Sequence, residues 1–199
     1  MRITKKLLIV GCGRSGTRYT TKVLCRAGLN VGHETDGEIG RVDWNYVHPP
    51  PGEIGRYSLV LHQVRHPLRV IESFHSAGRA SWGRIAKADP EIMGGTLLER
   101  CVRYWVRWNA AAERMAAWTY RVEDMEDVVP RILSACGKDL FRIDLRSALV
   151  VPKTDHSRRG NHKHSVRIPI VTVKSVEEAA PGDVGKLIEM ASRYGYDFS

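Results

Sequence analysis

Residues 5–24, KKLLIVGCGRSGTRYTTKVL, constrain the fold of this chain more than any other stretch. The apolar run Leu7 to Val10 ends in glycine, and a helical pattern follows, with Tyr19, Val23 and Leu24 on one side and Gly28 as its stop. A short apolar run bounded by glycine reads as a buried parallel strand over 5–11. The next segment reads as a helix from Ser15 to about Ala27. A strand, a glycine loop and a helix in that order open a three-layer α/β domain, with ligands bound beyond the carboxyl ends of its parallel strands.

The rest of the chain continues the alternation. LNVGHE (29–34) gives a second short strand. Residues 35–56, rich in Gly and Pro, read as an irregular excursion. YSLVLHQVR (57–65) is the next strand, and Pro67 suits the first position of a helix running to about Ala77. Residues 78–95 read as a mobile loop. Leu97, Val102, Trp105 and Trp108 keep a helical period that predicts a helix over 96–117. WTYRVEDM supplies a strand leading into a helix over 125–136, closed by Gly137. Residues 152–168 are polar and basic without periodicity, and 183–194 read as a final amphipathic helix.

At 199 residues the chain is expected to form a single domain, 1–199, with a substantial core. Lys and Arg number 31 against 22 Asp and Glu, a net charge of +9 that favours an anionic partner: nucleic acid, a membrane surface or a phosphorylated small molecule. Cys12, Cys25, Cys101 and Cys136 lie far apart with no C-x-x-C pair, which points to reduced thiols rather than a metal site or disulfide framework. The run Leu7 to Val10 is too short for a signal segment or a membrane span, so a soluble cytoplasmic protein is expected.

Which anion the first loop holds is the central question. Gly11, Gly13 and Gly16 spell G-x-G-x-x-G, a dinucleotide fingerprint, and Glu34 lies eighteen residues after Gly16, near where a ribose-binding acid belongs. The strand that should carry this acid is poor and interrupted by GHETDGEIG. Gly11 and Gly16 also have phosphate-loop spacing, but Thr17 stands where the lysine of a nucleoside triphosphatase or kinase loop is required. The third pattern is R-S-G-T after an apolar strand. In every case a helix N-terminus offers unpaired N–H groups and a positive dipole end. Arg14 adds a planar charge that can fork onto two oxygens. A basic nucleic-acid-binding module is the alternative from a different class. It would need a basic stripe with stacking aromatics, whereas the tryptophans of 105–118 fall at helical, core-like spacing.

A second anion site lies in HQVRHPLRVIESF. Arg65 ends a strand and Ser73 falls eight positions later, about two turns into the next helix, so that the two can converge on one phosphate. Together the two sites resemble the PAPS-dependent sulfotransferases, which use 3′-phosphoadenosine 5′-phosphosulfate as sulfuryl donor. GRSGT looks like the loop that binds the 5′-phosphosulfate, VRHPLRVIES like the 3′-phosphate site, and TYRVEDM is similar to the family's Y-x-x-E-D-[LM] stretch. The resemblance covers 5–77 well and 96–137 loosely. The G-x-x-G-x-W-K ending of the small-molecule enzymes is absent, and RRGNHKHS (158–165) is either its substitute or a solvated loop.

The resemblance implies a P-loop-NTPase-like form of the three-layer fold, with PAPS as donor, adenosine 3′,5′-bisphosphate (PAP) as product, and no metal. Gly13, Arg14, Ser15, Gly16, Thr17, Arg18, Arg65 and Ser73 become the donor-binding residues, with Arg14 also stabilising charge during transfer. GHET (32–35) is similar to the G-E-E-T that carries the catalytic glutamate of tyrosylprotein sulfotransferases, which makes Glu34 the base with His33 beside it. His48 in YVHPP weakly resembles the base-bearing His-x-Pro of the cytosolic enzymes. HKH (162–164) has ligand-pair residues but no further metal partners. The acceptor is a small-molecule, carbohydrate or peptide hydroxyl, its pocket formed from 35–56 and 78–95, where Tyr46, Trp44 and Trp82 either stack on a ring or pack. No nucleic-acid partner is expected.

Overall fold

The computed structural model describes residues 5–151 and 170–198; the segments 158–165 and 162–164 singled out above lie outside them. Five strands form one sheet: β1 (Lys5–Gly11), β2 (Val31–His33), β3 (Gly40–Val42), β4 (Tyr57–Val64) and β5 (Trp118–Arg121). Their order is β2-β3-β1-β4-β5 and every pairing is parallel. Between and after them run α1 (Thr17–Arg26), α2 (Pro67–Phe74), α3 (Arg79–Ala88), α4 (Leu97–Met115), α5 (Met125–Ala135), α6 (Leu145–Leu149), α7 (Val173–Ala179) and α8 (Pro181–Arg193).

Strand periodicity of two divides the core between the faces. Leu8 and Val10 of β1 join Val60 and Val64 of β4 against α2, α4 and α8, through Phe74, Tyr104, Trp105, Trp108 and Leu187. Leu7, Ile9 and Leu61 face the other way, onto Val23 and Leu24 of α1 and Val129, Ile132 and Leu133 of α5. Both faces of the central strands are therefore buried, which is why their sequences are nearly continuous apolar runs. Trp105 and Trp108 belong to this core, as their spacing predicts. Among the described residues no helix is long and apolar enough to cross a membrane.

Two sequence expectations are corrected. The excursion over 35–56 contains β3, which inserts between β1 and β2; three residues, Gly-Arg-Val, carry no pattern from which a strand can be read. The expected mobile loop over 78–95 holds α3 and a 3-10 turn, Pro90–Met93. Gly83 weakens the helical propensity of α3. Tertiary packing supplies what propensity lacks: Ile85 is fully buried and Trp82 meets the Phe74 ring edge-on at 5.0 Å. The short helices α6 and α7 were also unanticipated. α7 is held at its start by a reciprocal cap between Thr172 and Ser175.

A buried histidine in the sheet makes the fold sensitive to acid. His62 on β4 has no exposure, and its ring nitrogens meet Thr119 Oγ1 at 3.1 Å and Asn109 Oδ1 at 3.0 Å. Burial pushes its pKa down to about 4, with the Asn109 bond opposing. Unfolding returns the ring to a value of about 6.5, so between these pH values the unfolded chain binds the extra proton. Stability should therefore fall as pH drops from ~6.5 to ~4 and level off below, this group contributing up to about 3 kcal/mol. Urea unfolding at pH 7 and pH 4 checks it: His62→Gln should show a distinctly smaller decline than the parent, and an equal decline would acquit His62.

Candidate functional site

The site forms where β1, β2 and β4 end. Gly11 pairs with Gln63, and a Cβ at Gly11 would lie 2.2 Å from the Gln63 carbonyl oxygen, so only glycine lets the strands approach there. The chain then turns sharply, with Arg14 at φ 71° and Gly16 at φ 93°. The Gly13 N–H donates to the Tyr104 hydroxyl at 2.6 Å, and the Ser15 N–H to the Cys12 carbonyl at 3.1 Å. From below, Gln63 Nε2 donates to the Ser15 carbonyl at 2.7 Å, while Gln63 Oε1 accepts from the Tyr120 hydroxyl at 2.9 Å. The loop is thus clamped from α4, β4 and β5 before any ligand arrives. Helix α1 starts without a side-chain cap and without an acid in its first turn, leaving its first N–H groups and positive dipole end for an anion.

A cavity of about 450 Å³ opens above this loop, a size typical of small-molecule sites, which span roughly 300–1,000 Å³. Gly13, Arg14, Gly16, Thr17, Arg18, His33, Glu34, Arg65 and Ser73 all line it. Ser15, expected among the donor-binding residues, does not line the cavity: it is fully buried beneath the loop, its hydroxyl lacking a hydrogen-bond partner among the described residues. Arg65 and Ser73, eight positions apart in the chain, therefore share a cavity with the glycine loop. Arg65 Nη1 also donates to the Arg14 carbonyl at 3.1 Å, coupling the two segments. The TYRVEDM stretch acts as scaffold. Glu123 accepts the His66 N–H at the start of α2, at 3.1 Å, and is itself held by the Tyr196 hydroxyl at 2.8 Å.

At the end of β2, Glu34 takes φ 56°. Among the described residues Arg14 and Glu34 are the non-glycine residues with positive φ, a conformation that persists only where surroundings enforce it and that clusters at functional sites. Arg41 enforces it at Glu34 by donating to its carbonyl at 2.8 Å, and Trp44 Nε1 donates to the carboxylate at 3.0 Å. His33 Nε2 lies 3.1 Å from Thr17 Oγ1 and 3.9 Å from Glu34 Oε1. Burial lowers the His33 pKa, Glu34 opposing and Arg18 reinforcing, so its ring is neutral at neutral pH. Thr17, in the position of a phosphate-loop lysine, is thus engaged with a histidine. His48 does not reach this cavity; it lines a neighbouring one, edge-on to Trp108 at 4.6 Å, with its pKa lowered by partial burial.

Sequence reasoning missed Arg84, Ala80 and Ser81, which line the first cavity from α3. The positions 80, 81 and 84 make a one-sided helical stripe, legible only once α3 is known to be a helix. Tyr104 and Gln63, the struts of the loop, carried no signal beyond core spacing. With Arg84 the cavity holds four arginines, Arg14, Arg18, Arg65 and Arg84, against the single carboxylate of Glu34. Such a lining concentrates positive charge, whose field attracts anions. Among the described residues no three His, Cys, Asp or Glu side chains gather as metal ligands.

The dinucleotide alternative fits this geometry poorly. Its ribose acid follows the strand beside β1, but here β3 separates β2 from β1. The five-stranded all-parallel sheet flanked by helices, with a glycine loop at the carboxyl edge of β1, is a three-layer P-loop-like fold. In particular, it has the fold seen in a crystal structure of the mouse sulfotransferase SULT7A1 complexed with PAP, matching with a TM-score of 0.50 and 15% identity over 75% of this chain. The match spans 63% of that sulfotransferase chain. No protein-family model and no curated protein sequence matches the chain.

Proposed function

We propose that this protein is a PAPS-dependent sulfotransferase, binding its donor in the arginine-lined cavity and transferring the sulfuryl group to an acceptor hydroxyl. The observation that carries the reading is that one cavity joins the GRSGT loop, Arg65 with Ser73, and Glu34. PAPS bears about four negative charges at neutral pH, which Arg14, Arg18, Arg65 and the α1 N-terminus suit. In this reading Arg14, Thr17, Arg18 and the first turn of α1 hold the phosphosulfate, and Arg65 and Ser73 hold the 3′-phosphate. Transfer requires in-line attack, so holding two reactants in register and stabilising charge on the departing bridging oxygen supply most of the acceleration. Arg14 serves the second role. Glu34 accepts the proton of the attacking hydroxyl, with Trp44 orienting its carboxylate.

Calorimetric titration with PAP tests the assignment. The parent chain should bind PAP, and NAD or single-stranded DNA should not substitute for it. Arg65→Ala should weaken binding by about 2–4 kcal/mol, because a charge-assisted contact to phosphate is lost. Ser73→Ala should cost about 1 kcal/mol, one hydroxyl bond. A double variant that bound PAP as the parent does would refute the 3′-phosphate assignment.

A further inference from the structure

A second cavity, of about 590 Å³, shares Glu34 and Arg84 with the first. Helix α3 runs along both. Ala80, Ser81 and Arg84 face the first, and Arg84, Lys87 and Ala88 face the second, a single stripe at helical spacing. If the donor occupies the first cavity, the second opens on the other side of the carboxylate that must meet the acceptor's proton.

The charges on its walls are unevenly satisfied. Arg41 is neutralised by Asp43 at 2.7 Å and Asp36 at 3.5 Å, and its guanidinium lies 4.1 Å from the centre of the Tyr46 ring. Arg84 donates instead to a neutral group, Asn45 Oδ1, at 3.0 Å. Lys87 is exposed one turn further on. Neither Arg84 nor Lys87 forms an ion pair among the described residues. Two uncompensated cations, three positions apart on one helix face, therefore overlook the cavity. A neutral, wholly apolar acceptor would leave them unused.

We propose that the second cavity is the acceptor site and takes a hydroxyl compound bearing its own anionic group, a carboxylate, phosphate or sulfate, held by Lys87 and Arg84 while its hydroxyl meets Glu34. This inference rests on the sulfotransferase reading. In the transfer step the acceptor oxygen forms a new bond to sulfur as the bond from sulfur to the bridging oxygen breaks. The acceptor's proton passes to Glu34, and the electron pair of the broken bond remains on the 5′-phosphate of PAP.

Methyl β-D-glucuronide and methyl β-D-glucoside form a matched pair, differing in a carboxylate against a hydroxymethyl group. Ligand-observed NMR titration of each onto the protein saturated with PAP should show the glucuronide bound about tenfold or more tightly, as a charge-assisted contact warrants. Lys87→Glu should remove that preference, with Lys87→Gln intermediate, while PAP affinity stays unchanged because Lys87 lines only the second cavity. Failure of the parent to bind PAP would overturn the sulfotransferase reading and this inference with it. PAP binding in which the two glycosides bind alike, neither binds, or Lys87→Glu keeps the preference would overturn the acceptor class alone.

Discussion

Glu34→Gln should bind PAP as the unaltered chain does and transfer sulfuryl groups about 10²–10⁴-fold more slowly. Gln keeps the size of the side chain and an oxygen that can accept the Trp44 indole N–H, now bonded to Glu34 Oε1 at 3.0 Å. It also tolerates φ 56° as well as Glu does, so the loop geometry is retained and only the basicity is removed. The measurement is PAP release with an acceptor found by screening phenols and sugars, beside a PAP titration. Two other residues compete for the role. His33 sits 3.1 Å from the Thr17 hydroxyl with its pKa lowered by burial, and His48 lines the neighbouring cavity. If Glu34→Gln transferred at full rate while a substitution at His33 or His48 abolished transfer, the base would be that histidine. Retention in all three variants would make the GHET turn structural.

Arg14→Ala should lower turnover by about 10²–10³ while raising the donor's KM by less. On the proposed sulfotransferase reading Arg14 would meet the donor in the ground state and its contact would strengthen as charge grows on the bridging oxygen, so the loss should fall chiefly on the transition state. The substitution is clean for a structural reason. Alanine retains the Cβ, and hence the same left-handed strain at φ 71°, and it retains the carbonyl that accepts from Arg65 at 3.1 Å. What disappears is the side chain beyond Cβ, the two methylenes with the guanidinium. Slow hydrolysis of PAPS gives the rate without knowledge of the acceptor. A rise in KM with kcat unchanged would demote Arg14 to uniform binding.

The candidate sites legible in the chain were those whose chemistry is local. GRSGT is contiguous, and a strand end followed by a helix start places its N–H groups and Arg14 without help from distant residues. Arg65 and Ser73 were legible because strand and helix geometry convert an eight-residue spacing into neighbouring positions. Glu34 was reached by resemblance, although its strand, β2, has only three residues. By contrast, Tyr104 and Gln63 touch the glycine loop from 91 and 48 residues away, and nothing in their sequence neighbourhoods marks them. Arg84 was hidden for a related reason: α3 exists because Ile85 and Trp82 pack on the core, while Gly83 weakens its intrinsic tendency to be helical.

The sequence by itself determined the parallel α/β architecture, because apolar runs bounded by glycine and followed by amphipathic helices have few other ways to bury both faces of a sheet. It also pointed to an anion at the end of β1 as an expectation, because a glycine loop opening a helix and carrying Arg14 offers unpaired N–H groups and a positive charge together. Only the tertiary structure decided that β3 separates β1 from β2, that the two anion segments and Glu34 line one cavity, and that α3 joins this cavity to a second. Those features depend on contacts between residues far apart in the chain. Such contacts carry no local periodicity, and they exist only after the core has brought their elements together.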